Sequence, residues 1–304
     1  MNSDQTAGRA RTGVLLALML SAAPVAAFAA TASQLYYERS LMSAADVRCR
    51  LFSPAIASAL NATKAQARGA ALRAGIEQGD LDQVAQRAQA KASSVPCGSP
   101  DIAMAAGRVR TAFDGYSRMI RMTYPGDTAN WRADRSLPSA GGWWRLAQSS
   151  QIGATPMIFG MSGARGEQPQ LLAVADFGPL QPYGARLMVR DASRTSGAYL
   201  DVLKVGSTAS LPLASRTAPR WAARAFSAEA RGPADPRLLP AGAKTATAFR
   251  FPTAAADAMA NLDPREAVTV EFLFAGRGGG ETVRQAYVEV GDFAAGRAFM
   301  MAAR

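Results

Sequence analysis

Apolar positions along the chain change their period once. From residue 33 to 122 they recur every three or four positions, as on one face of a helix, and from residue 143 they fall in short alternating runs between turn residues, as in strands. The first stretch divides into four helices. Thr31 with Gln34 three residues on has the spacing of a capping box, and Leu35, Met42, Ala45 and Cys49 share a side of the helix it opens. Ser53 and Pro54 are N-cap and first-turn proline for a second helix carrying Ile56, Leu60, Thr63, Ala67 and Ala71, which Gly75 or Gly79 ends. Asp80 with Gln83 opens a third, with Leu81, Val84, Ala88, Ala92 and Val95 on one face. Ser99 and Pro100 cap the fourth, whose Ile102, Ala106, Val109, Phe113, Tyr116 and Ile120 form a continuous stripe that predicts the core of the bundle.

Tyr124-Pro125-Gly126-Asp127 interrupts the helical pattern, so 124–142 reads as a linker. Beyond it, strands are predicted over 143–149, 155–161, 170–177, 184–190, 198–203, 209–214 and 221–226, with a proline- and glycine-rich surface loop over 232–242. A strand at 245–251, a helix from Pro252 to about 261, strands at 267–274 and 282–290 and a helix after Asp292 complete the chain. Ala185, Leu187 and Val189 alternate with Arg186, Met188 and Arg190, and Val268, Val270, Phe272 and Phe274 with Thr269, Glu271 and Leu273. One face buried and the other wet is the signature of antiparallel sheets. The expected fold class is α+β: a four-helix domain over 30–123, then a mainly antiparallel β-rich domain over 143–304, sandwich or open barrel, with two short C-terminal helices.

The N-terminus adds a location. Arg9 and Arg11 precede an apolar stretch from Val14 to Leu20, and Ala27-Phe28-Ala29 has the small residues of a processing site, so residues 1–29 read as a signal peptide cleaved after Ala29. The wider segment from Gly13 to Ala30 contains Pro24 and many alanines and is short for a span, so no membrane span is expected in the mature chain. A periplasmic or secreted location is oxidising, and Cys49 and Cys97, the only two cysteines, are then one disulfide. Closing that loop restricts the unfolded chain by roughly 4 kcal/mol.

Charge and composition mainly exclude. The formal net charge is +11, and removing Asp4, Arg9 and Arg11 with the signal leaves +10, a balance that favours anionic partners. There is no Lys/Arg run and no aromatic-basic repeat, so specific nucleic-acid binding is not expected. Histidine is absent, which removes the commonest general base and metal ligand; no metal site and no cofactor are expected. Phe274-Ala275-Gly276-Arg277-Gly278-Gly279-Gly280-Glu281 fits neither the dinucleotide nor the Walker pattern and precedes a strand, so it reads as a hairpin turn with Arg277 and Glu281 exposed. Gly160-Met161-Ser162-Gly163-Ala164 approaches a nucleophile elbow, but Ser162 has no histidine or suitably spaced lysine to activate it and reads as a turn serine.

Two kinds of candidate remain. Asp176 and Glu271 lie next to apolar strand residues and are the nearest approach to acid/base chemistry, although alternation points both toward solvent. Trp131, Trp143, Trp144, Trp221, Tyr36 and Tyr37 are the aromatic candidates for a carbohydrate or peptide surface. Neighbouring residues of a regular strand face opposite ways, so Trp143 or Trp144 must look outward; with Arg145 they make the candidate binding surface, the alternative being interdomain packing. The functional expectation is an exported, non-enzymatic binding or structural component of the bacterial cell envelope, engaging an anionic envelope polymer or another envelope protein. The alternative expectation is a carboxylate-dependent hydrolase of envelope polysaccharide.

Overall fold

The computed structural model describes residues 25–136, 142–200, 208–276 and 278–301. Four helices open the chain: α1 (Val25–Cys49), α2 (Pro54–Arg73), α3 (Gln78–Ser94) and α4 (Pro100–Arg118). Ser53 caps α2 by accepting from Ile56 N, Ser99 caps α4 by accepting from Asp101 N, and each has proline in its first turn. Past the other end of α2, Gly75 has φ +90°, and Ile76 N and Gly75 N donate to Ala71 O and Leu72 O, which together make a Schellman stop. Two expected starts are corrected. Thr31 lies inside α1, which runs from Val25, and α3 begins after Glu77 rather than at Asp80.

Cys49 and Cys97 are joined, with their Cα atoms 5.6 Å apart, tying the end of α1 to the segment before α4. The helices share no single core. Tyr36, Ala67, Ala71, Leu72, Leu81 and Val84 pack between α1, α2 and α3, while Met42, Leu60 and Ala106 form a second small cluster under α4. The stripe on α4 is therefore only partly covered: Ile102 and Ala106 are buried, Val109, Phe113 and Tyr116 are half-buried, and Ile120, beyond the helix, is exposed.

Antiparallel sheets form the rest. The larger has the order β1-β2-β3-β4-β5-β9-β8, from β1 (Arg121–Tyr124), β2 (Trp131–Asp134), β3 (Trp144–Ile152), β4 (Thr155–Ser162), β5 (Gln170–Ala175), β8 (Ala230–Pro233) and β9 (Thr247–Phe251). The smaller has the order β11-β10-β6-β7, from β6 (Gly184–Arg190), β7 (Ala223–Ser227), β10 (Ala267–Ala275) and β11 (Glu281–Glu289). Both are open, and their inner faces share one core that includes Phe159, Phe249, Phe251, Val268, Val270, Phe272 and Phe274. The helices α5 (Thr253–Ala260) and α6 (Phe293–Met301) add Met259, Phe293 and Phe299 to that core. Each phenylalanine so buried contributes about 2–3 kcal/mol.

Several expectations are revised here. The linker read over 124–142 contains β2, whose Trp131 is fully buried, and the end expected of the fourth helix is β1. Segment 209–214 forms 3-10 turns (Thr208–Ser210 and Leu213–Arg216), not a strand; 198–200 is irregular, and the remainder of the strand expected at 198–203 lies outside the described residues. The loop at 232–242 begins in β8 and holds a 3-10 turn, Pro236–Leu238. The glycine-rich run does turn β10 into β11: Ala275 pairs with Glu281, Gly276 N donates to Gly280 O at 2.6 Å, and Gly278 and Gly279 take left-handed φ of 85° and 89°. Phe274 is buried and Glu281 exposed, while Arg277 lies outside the described residues.

Helical and β parts meet along α2 and α6. Ser58 Oγ donates to Ala298 O at 2.6 Å, Arg73 pairs with Asp292 at 2.9 Å, and Arg68 donates to Leu262 O and Asn261 O. No helix among the described residues is long and apolar enough to cross a membrane.

Candidate functional site

A β-bulge in β3 decides where the adjacent tryptophans go. Trp144 pairs with Ser162 and Leu146 with Met161, so the register with β4 shifts at Arg145. Without the extra residue, Trp144 and Leu146 would share a face. With it, Leu146 enters the central core while Trp144 packs against Leu172, Val174 and Leu238 on the sheet's outer face. Gly160 permits this close approach, because a Cβ there would lie 1.9 Å from Leu146 O. Arg145 is the residue the bulge displaces. It is 3% exposed and donates to Asp134 O at 2.9 Å and to Met300 O at 2.5 Å, so it fastens α6 to the sheet and takes no part in an exposed surface as the sequence had led us to expect.

Trp143 and Trp144, both half-buried, line a groove of about 570 Å³ on this outer face, with Met122, Ala147 and Ile158 as apolar lining. Trp144 is fixed by donating Nε1–H to Leu238 O at 3.2 Å. Three guanidinium groups, those of Arg121, Arg132 and Arg237, reach the groove from β1, β2 and the 3-10 turn at Pro236–Leu238. Its lining holds one carboxylate, Asp134, which accepts from Arg121 Nε at 2.7 Å and from Ser136 N at 2.6 Å. Burial pushes the Asp134 pKa up, but the Ser136 and Arg121 hydrogen bonds outweigh it, so the group sits below the usual carboxylate range and is ionised. Arg237 pairs with Asp235 at 3.3 Å at the rim, and the exposed Arg132 has no partner among the described residues. An indole wall beside guanidinium groups, of which that of Arg132 is uncommitted among the described residues, suits a ligand with a flat apolar face and carboxylate or phosphate groups.

The other candidates fall elsewhere. Glu271 does leave the apolar face, but it is 2% exposed rather than solvated, because Arg186 and Arg220 close over it from β6 and the 3-10 turn at Arg220–Ala222. Burial raises its pKa; hydrogen bonds from Arg186 and Gln285 and the nearby arginine charges more than reverse this, which denies it the role of a proton donor near neutral pH. Asp176 closes a turn by accepting from Gly178 N. Ser162 is not a turn residue: it ends β4, 5% exposed, between Trp144 and Gln170. Trp131 is buried and donates to Glu289 O and Val290 O. Tyr36 is buried and Tyr37 half-buried between helices, and Trp221 is exposed, edge-on to Tyr199 at 5.6 Å.

A carboxylate group that the sequence did not single out gathers where α2 meets the sheets. Glu289 is fully buried and accepts from Asp127 N, Thr128 N, Thr128 Oγ1 and Ala129 N at 2.6–2.8 Å, while Arg216 Nη1 lies 3.3 Å away. Asp127 and Asp292 both approach Arg73, at 3.8 and 2.9 Å. Burial raises the pKa of each, helped for Asp127 by the charge of Glu289 and for Asp292 by that of Asp127, against the lowering effect of Arg73. These groups are interlocked with structural arginines and loop amides.

The arginines of the groove escaped the sequence reading because β1 and β2 are four-residue strands in a segment read as helix end and linker, and Arg237 comes from a distant loop. The one available signal was the alternation of Trp131 and Ala133 with Arg132 and Asp134. No family model matches this chain, and neither does any curated protein or solved structure.

Proposed function

We propose that the protein is an exported binding component of the bacterial cell envelope, and that it engages an acidic glycan through the groove of Trp143 and Trp144. The observation that carries the reading is the composition of that groove: two indoles and three arginines, with the lining carboxylate Asp134 and the rim carboxylate Asp235 both already engaged and Arg132, unpartnered among the described residues, free to meet an anion. Sugar rings stack on indole faces, and acidic groups on the polymer meet the guanidinium forks. The signal-like N-terminus and the disulfide support an oxidising location outside the cytoplasm.

The test is binding of fluorescent polygalacturonate to the mature protein, with uncharged dextran as control. Polygalacturonate binds and is lost as salt rises from about 20 to 200 mM, because each arginine contact displaces counterions. Arg132→Ala, at an exposed position, weakens binding about threefold to tenfold while leaving stability unchanged. Equal binding of dextran, or affinity indifferent to both salt and Arg132→Ala, overturns the proposal.

Asp127 and Asp292, both with raised pKa beside Arg73, are the observation favouring the second reading, a carboxylate-dependent hydrolase of envelope polysaccharide. It predicts glycan cleavage that Asp127→Asn abolishes; a protein that binds polygalacturonate for days without shortening it leaves binding alone.

A further inference from the structure

A second groove, of about 620 Å³, lies in the helical part, and its shape follows from small side chains. Ala44 of α1, Ala57 of α2 and Ala85 and Ala92 of α3 line it where larger residues would fill a helix-packed interior. Tyr36, Ser40 and Ser43 from α1, Asn61 and Lys64 from α2 and Gln89 from α3 face the same space. One end is fixed by Arg48, which donates to Ser93 O and Val95 O, and by the adjoining Cys49–Cys97 bond.

One hydroxyl in this groove is buried without a hydrogen-bond partner of good geometry, and one half-buried ammonium has no protein partner among the described residues. Lys64 is half-buried with no hydrogen bond or ion pair among the described residues, and burial alone pushes its pKa below the ordinary lysine value. Ser40 is 8% exposed, and its Oγ makes no hydrogen bond of acceptable geometry, although it is near enough to Tyr36 to influence that phenol. A buried hydroxyl without a partner is costly, and a half-buried ammonium in the same groove offers an incoming anion a charge to meet, so one ligand that engages both would complete the groove. Asn61 adds donors, because its Oδ1 already accepts from Ser43 Oγ and its amide hydrogens remain. The charged lining groups are Lys64, Arg48 and Asp46; Arg48 is committed to carbonyl groups, and Asp46 accepts from Phe52 N. The net charge of +1 suits one anionic group rather than a dianion.

We propose that this groove binds a small hydroxylated carboxylate, with the carboxylate on Lys64 Nζ and hydroxyl groups on Ser40, Asn61 and Tyr36. The site is separate from the tryptophan groove and independent of what that groove binds.

The experiment titrates D-glucuronate into the full mature protein by calorimetry, with D-glucose and inorganic phosphate as comparisons. In parallel, mass spectrometry follows protection of Lys64 from acetylation by a water-soluble N-hydroxysuccinimide acetate. Glucuronate binds saturably and slows Lys64 acetylation, whereas glucose and phosphate bind about tenfold more weakly or not at all. Lys64→Gln and Ser40→Ala each weaken glucuronate about tenfold. Ser40→Ala does so while unfolding at the same or a higher temperature, since it removes an unsatisfied hydroxyl; a purely structural serine would lower it. The proposal is overturned if glucuronate shows no saturable binding up to about 10 mM, if it leaves Lys64 acetylation unchanged, or if both variants bind it like the parent.

Discussion

Replacing Glu289 with alanine probes the arrangement on which the junction rests. The side chain is 0% exposed, at the end of β11, and its two oxygens accept four hydrogen bonds from residues 127–129, all between 2.6 and 2.8 Å. The same carboxylate faces Arg216, itself fully buried, whose other neighbouring carboxylate is Asp127, also at 3.3 Å. Truncation orphans three backbone amides and leaves a buried guanidinium half-compensated. Breaking a buried ion pair costs about 3–5 kcal/mol, and each unsatisfied amide adds about 1 kcal/mol or more unless water enters. With water entering the space left by the side chain to meet most of the three amides, we expect Glu289→Ala to lose about 4–6 kcal/mol, a large part of the ~5–15 kcal/mol typical of a folded domain. Glu289→Gln keeps the volume and one accepting oxygen but turns an amide NH₂ toward donors and gives up the ion pair with Arg216, and loses about 3–5 kcal/mol. Urea denaturation followed by tryptophan fluorescence reads the midpoints, and Trp131, which donates to Glu289 O, reports locally. The cycle closes with Arg216→Met: in the double variant with Glu289→Gln the losses combine by at least ~1 kcal/mol less than their sum, because the uncompensated charge is gone. A loss below ~1 kcal/mol for Glu289→Ala, or strict additivity in the double variant, refutes the reasoning.

Other predictions follow from single contacts. Cys49→Ser with Cys97→Ser opens a 48-residue loop and lowers stability by about 4 kcal/mol, and the denaturation midpoint of the oxidised parent should fall equally on reduction. Gly160→Ala drives a Cβ into the Leu146 carbonyl and costs about 2–4 kcal/mol; its fluorescence should also report a disturbed Trp144. Asp127 has a raised pKa when folded, so it binds more protons folded than unfolded between the ordinary value near 3.8 and its folded value. The stability of the parent relative to Asp127→Asn therefore rises as pH falls from neutral through the folded pKa, and levels off below the unfolded one. Paired urea titrations at pH 7, 5 and 4 measure that difference; a constant or reversed trend contradicts the assignment.

What the sequence disclosed was what local chemistry decides. Ser53-Pro54 and Ser99-Pro100 placed two helix starts, and the alternation ending at Phe274 with the glycines after it placed the β10–β11 hairpin. Both signals lie within a few residues of the structure they specify. β1 and β2 were hidden because four residues carry too little period, and they are strands only because β3 pairs with β2 and α6 covers them. Glu271 looked solvated because alternation says which face a side chain takes but not whether distant arginines close over it. The tryptophan pair was legible as a geometric conflict. Its resolution, a bulge that sends Trp144 out and buries Arg145, depends on Gly160 in the next strand and carbonyl groups in β2 and α6.

The contact between α2 and α6 also sets an order of events in time. Ser58 finds its hydrogen-bond partner at Ala298, 240 positions away, and Phe293 and Phe299 fill a core whose other members begin with α2 and β1. Until α6 has emerged, that core is open on the side the helix covers and Arg145 lacks its Met300 partner. Such distant closure makes folding slow and leaves apolar surface uncovered meanwhile. The helical part, with its own two clusters and its disulfide, can close earlier, but the sheet core waits for the last residues of the chain, and a truncation that removes α6 would leave it open however well the rest is made.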